Sequence, residues 1–150
     1  ASKNGVFVNG VGLPHPATAA SRPVNGDGWT GVLLDVTAAL SVGTPVEYAG
    51  RMVLMLAEAA VLVVDCARLK HAGLMEARFH TLGALQCDGD TARITGERQS
   101  LHLAFAASVP ARMRTGVGLP TNSNLEPDRI VRWMTCGRTW RRWRPRPTCR

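Results

Sequence analysis

Apolar residues along this chain fall into short stretches, many β-branched, cut about every 10–15 residues by Gly, Pro, Asn or Asp. That rhythm predicts strands at Val6–Asn9, Trp29–Val36, Val46–Leu56, Ala60–Leu69, Leu74–Leu82, Ala92–Thr95, Ser100–Ala106, Ala111–Arg114 and Ile130–Met134. Turn signals separate them at Asn25-Gly-Asp-Gly28, Val42-Gly-Thr-Pro45, Asp88-Gly-Asp90 and the long Gly116–Asp128 stretch. Residues 51–65, RMVLMLAEAAVLVVD, admit two readings. Ala57-Glu-Ala-Ala60 has good helix formers, but its flanks suit a pleated surface. A hairpin turning near Glu58 fits the rhythm better. In Ser100–Arg114, Leu101, Leu103 and Phe105 alternate with His102 and Ala104, the period-2 pattern of a strand with one buried face. Pro110 then suits a strand start or an edge. The expected fold is all-β, an antiparallel, supersandwich-like β-sandwich with an irregular basic C-terminal tail.

Composition narrows the picture. The chain has 150 residues, 45% hydrophobic and 19% charged, enough for one globular domain with a core. No apolar run approaches the roughly 18–20 residues that cross a bilayer; Met52–Val64 is interrupted by Glu58, so no membrane partner is expected. The net charge of +7 suggests nucleic acid at first sight. Six of the arginines, however, lie in residues 138–150, RTWRRWRPRPTCR, and removing that stretch leaves 12 basic against 11 acidic residues. The body is nearly neutral. Nucleic-acid binding would belong to the tail alone, where Arg with Trp can contact phosphates and stack on bases. A compositionally biased, disordered end is the simpler reading, with domain boundaries at 1–135 and 136–150.

Candidate chemistry is sparse. Cys66, Cys87, Cys136 and Cys149 form no CxxC pair and have no histidine at metal-ligand spacing, so mostly buried free thiols are expected. There is no GxSxG, P-loop or HExxH. His15 is expected in a surface loop, His71 in a turn and His102 on a solvent face. His80 interrupts an apolar strand in Phe79-His-Thr-Leu-Gly83 and reads first as a hydrogen-bonded structural histidine.

Taken in order, several stretches resemble the C-terminal β-sandwich of heparinase II/III-like polysaccharide lyases. KNGVFVNGVGLP (3–14) is similar to that family's HNTVxVNGxGQ strand and turn, and LLDVTAAL (33–40) to its Asp-x-Thr/Ser-Ala-Ala segment. PVEYAGRMVLML (45–56) resembles VxxYxRxVLxL, AVLVVDCARL (60–69) resembles xLVVxDxVRL, and MEARFHTLG (75–83) resembles xxxxFHTxG. GERQSLHLAFAASVPARMRTGVGLPT (96–121) and EPDRIVRWMT (126–135) continue the order. The resemblance implies β-elimination on a uronic-acid-containing polysaccharide, with proton abstraction at C5 and loss of the O4 substituent. It also implies an N-terminal α-helical toroid carrying the catalytic tyrosine, and a periplasmic or secreted bacterial setting.

Against that pattern, this chain is expected to be an interior portion of a longer protein, inactive by itself, with no catalytic residue of its own. Lys3 stands where the resemblance implies a histidine that serves as a metal ligand in zinc-bearing members. A lysine ammonium has no free lone pair, so no zinc or other cofactor is expected. Lys3, Asn4 and His80 are the candidate substrate-binding residues. The expected partners are an acidic polysaccharide, the toroid domain and, through an uncovered apolar face, a second copy of the chain. A non-catalytic carbohydrate-binding or docking sandwich using Trp29, Trp133 and Tyr48 is the alternative.

Overall fold

The computed structural model describes residues 4–14, 16–57, 59–108, 111–118 and 131–139, with backbone alone for 117–118 and 131–139. The chain is all-β, as expected. The strands are β1 (Gly5–Val8), β2 (Ala20–Gly26), β3 (Trp29–Asp35), β4 (Val46–Leu56), β5 (Ala60–Leu69), β6 (Leu74–Thr81), β7 (Ala84–Asp88), β8 (Thr91–Thr95), β9 (Ser100–Ala104), β10 (Arg112–Gly118) and β11 (Val131–Thr139). One single-turn helix, α1 (Thr37–Ser41), joins β3 to β4. All described pairings are antiparallel: sheet A in the order β1-β6-β11-β10, sheet B in the order β2-β3-β4-β5, and a meander β7-β8-β9, sheet C.

The Asn-Gly signal in the first motif forms the tight turn its chemistry requires. Asn9 and Gly10 have φ of 51° and 80°, the left-handed values of a two-residue hairpin turn. Val8 and Val11 exchange both backbone hydrogen bonds at 2.9 Å. Asn9 then ties this turn to β6: its N–H donates to the Leu74 carbonyl and its Oδ1 accepts the Leu74 N–H, each at 2.8 Å.

The core lies between sheets A and B, where Val6 and Val8 meet Val36, Leu40, Val46 and Ala49. Leu13, Leu34, Ala67, Leu69 and Met75 pack around them. Val46 and Ala49 are three apart, which in a regular strand would put them on opposite faces. A register shift between Val46 and Tyr48 inserts the extra residue that lets both point inward. Tyr48 and Gly50 therefore share the outer face. Thr37 stitches α1 to this irregular stretch, donating from its hydroxyl to the Ala49 carbonyl at 3.2 Å and accepting the Ala49 N–H at 3.0 Å.

Several expectations change. The β4–β5 hairpin forms as expected, with β4 ending at Leu56 and β5 starting at Ala60, but other elements differ. Strands β2 and β7 and helix α1 were not foreseen. β2, ASRPVNG, lacks an apolar stripe and holds Pro23, both tolerable because it is an edge strand. The boundary at residue 135 falls inside β11, which continues through Thr139 between β6 and β10, so the first four residues of the expected irregular tail are strand. Composition there is basic, but pairing on both sides supplies the backbone with partners whatever the side chains. Residues 140–150 lie outside the described residues. Cys66 and Cys87 are free but exposed rather than buried. Cys66 reaches the surface because its neighbour Ala67 takes the inward position on β5.

Candidate functional site

Of the three sequence-derived site residues, Lys3 lies outside the described residues, and the structure brings the other two together. Asn4, just before β1, accepts the backbone N–H of His80 on its side-chain Oδ1 at 2.7 Å. The Asn4 carbonyl accepts from Arg51 Nη1 at 3.4 Å. Residues from three of the sequence motifs, separated by up to 76 positions, thus meet at the entry to β1.

Arg51 and Asp65 stand directly opposite on β4 and β5. They form a two-pronged ion pair, Nε to Oδ1 at 2.6 Å and Nη2 to Oδ2 at 2.8 Å, with side chains 15% and 9% exposed. Both belong to the row that includes Ala49 and Ala67, the inner face of sheet B. A charged pair placed there costs desolvation, and the fork-to-fork geometry is what offsets it.

On β6, Glu76, Arg78 and His80 alternate with Met75, Ala77 and Phe79. Met75 packs on the core, so the Glu76–Arg78–His80 row faces the other way. Arg78 Nη2 donates to Glu76 Oε2 at 2.7 Å, and its guanidinium lies 4.0 Å above the Phe7 ring centre. Phe7 holds that position because Gly12 leaves room: a Cβ at Gly12 would sit 2.5 Å from the ring. Arg78 Nε and His80 Nδ1 are buried with no hydrogen-bond partner among the described residues. Partial burial, reinforced by the Arg78 charge, holds His80 below the ordinary histidine range. The site therefore presents a neutral imidazole beside a fixed guanidinium.

Among the described residues no three His, Cys, Asp or Glu side chains gather as a metal site. His71 and His102 are exposed, on a bend and a sheet face, and His15 lies outside the described residues. Among the described residues no helix is long and apolar enough to cross a membrane.

Sequence reading missed the Arg51–Asp65 pair and the Arg78–Phe7 stack. A signal existed for the first: each charge interrupts an otherwise apolar run, GRMVLML and LVVDC. No such signal existed for the second, because Phe7 and Arg78 are joined only by the β1–β6 register, which places Gly5 opposite Arg78. The sequence matches no family model, and no curated protein matches it.

Proposed function

We propose that this chain is the β-sandwich portion of a polysaccharide lyase of the heparinase II/III type. In this reading it contributes to the binding of a uronic-acid-containing polysaccharide and depends on an α-helical toroid for the elimination chemistry. The observation that carries the reading is the Asn4–His80 contact at 2.7 Å, which joins two of the stretches on which the resemblance rests. The all-β antiparallel architecture is compatible with it. Arg51 and Arg78 are each engaged by a carboxylate, Asp65 and Glu76, but Arg78 Nε keeps a donor without a partner among the described residues, and a neutral histidine next to that guanidinium suits recognition of a uronate.

A test is calorimetric titration of the chain with a polyuronate and with a neutral glucan of equal length. Binding should favour the polyuronate, weaken with salt and fall about tenfold in His80→Ala, the loss of one charge-proximal contact. Ultraviolet absorbance should show no unsaturated product from the chain alone. Equal affinity for the two polymers, or unaltered binding by His80→Ala, removes the support.

A further inference from the structure

The outer face of sheet B carries a second constellation that the Asn4–His80 site does not use. Register aligns Ala20, Asp35, Gly50 and Cys66 in one cross-strand row, with Arg22, Leu33, Met52 and Val64 in the next row on the same face. Gly50, which has no side chain, is buried beneath Tyr48. Tyr48 lies along the same strand two residues before it, and its hydroxyl occupies the space above Gly50: a Cβ there would stand 2.6 Å from the phenol oxygen. The result is a groove of about 380 Å³, walled by Tyr48, Asp35, Arg22 and Cys66 and floored by Leu33 and Met52.

Each wall has a definite chemistry. The Tyr48 side chain is partly open, with the residue 42% exposed. Asp35 spends Oδ1 on the Thr37 N–H at 2.9 Å, and its hydrogen bonds to Thr37 keep the carboxyl below the usual range, so it is an anion at neutral pH. Arg22 is exposed on the edge strand β2. An aromatic ring and a methionine beside a carboxylate and a guanidinium, all across one shallow depression, match a molecule with one C–H face and a rim of hydroxyls.

We propose that the Gly50 depression binds a neutral pyranose ring, with the C–H face of the sugar against Tyr48 and Met52 and vicinal hydroxyls donated to Asp35 and accepted from Arg22. With Asp35 beside Arg22 the rim has no net positive charge to offset the desolvation of a uronate, which makes the site different in preference from the one at Asn4 and His80. A chain of mixed neutral and acidic sugars would satisfy both.

The test follows the ring of Tyr48, the chain's single tyrosine, by NMR with ¹³C-labelled tyrosine. The full chain is titrated with a neutral methyl glucopyranoside and, separately, with the corresponding methyl glucuronide. The expected result is a saturable shift of the Tyr48 ring signals with the neutral glycoside, and weaker binding of the glucuronide. Measured by saturation transfer, Tyr48→Leu should weaken the neutral glycoside about tenfold, the loss of one aromatic contact. Gly50→Ala, whose Cβ would stand 2.6 Å from the Tyr48 hydroxyl and push that ring from its place, should weaken it as well, while Asn4→Ala leaves it unchanged. No saturable shift, unchanged binding by Tyr48→Leu, or preference for the glucuronide overturns the proposal. Because Asn4→Ala and His80→Ala report on the other site, failure here is distinguishable from failure of the lyase reading.

Discussion

Replacing Arg51 by methionine keeps most of the side chain's length and removes its charge. Asp65 then retains a carboxylate 9% exposed on the inner face of sheet B, without the two prongs at 2.6 and 2.8 Å. Breaking one side of a buried pair costs about 3–5 kcal/mol. The Arg51 side chain is 15% exposed, so some water reaches the vacated space and the low end, about 3 kcal/mol, is expected. Asp65→Leu should cost less, about 2 kcal/mol, because the long arginine can carry its charge toward solvent near the Asn4 carbonyl. The double variant Arg51→Met/Asp65→Leu places two apolar side chains against Leu34, Ala49 and Ala67 and should lie within about 1 kcal/mol of the native chain. The two positions are thus coupled by about 4 kcal/mol. Urea unfolding followed by tryptophan fluorescence, on all four proteins of the cycle, measures this. If the single costs simply add in the double variant, the pair is not the unit described here.

Three further predictions rest on separate features. Gly12→Val should push the Phe7 ring from beneath Arg78 and destabilise the chain by about 1–3 kcal/mol, the usual cost of overpacking; a structure of the variant with Phe7 unmoved would refute it. Gly10→Ala should cost about 1 kcal/mol from backbone strain alone, since φ is 80° and nothing lies within 4 Å of the added methyl, readable as a shift in urea midpoint at constant slope. His80 is held below its ordinary pKa, so the unfolded chain takes up a proton before the folded one does. Stability should therefore fall as pH drops below about 6.5. Urea midpoints between pH 5 and 7.5 should show a shallower slope in His80→Gln than in the native chain, and identical slopes would sink the assignment.

The sheet strands were legible where apolar, largely β-branched stretches run between Gly, Pro, Asn and Asp turn signals, as in β3, β4, β5 and β6. The hairpin at residue 58 was legible too, because strand-forming residues flank it on both sides. What escaped was written in backbone rather than pattern. β2 is held by its pairing to β3 while exposing most of its residues, and α1 is a single turn fastened through Thr37 and Ala49. The bulge that sends both Val46 and Ala49 inward breaks the period-2 rule on which strand reading depends. At the candidate site, Asn4 and His80 were both singled out from the sequence. Their contact was not, since it needs the β1–β6 register to bring residues 76 positions apart together. The Gly50 depression is likewise a cross-strand product: all four strands of sheet B contribute residues to it, and no one of those segments announces it.

The two margins of sheet B are unlike. β2 carries Pro23, which has no N–H to offer, and Arg22, features that discourage docking of another strand. β5 presents ten residues with neither proline nor glycine, and Val61, Leu62 and Val64 stand exposed along it. Strand addition to this sheet is thereby polar. A visiting strand finds a template on one margin and a barrier on the other, and two chains that met through β5 would use up the receptive margin that sheet B has among the described residues. Through sheet B alone, such a pairing closes on itself as a two-fold dimer.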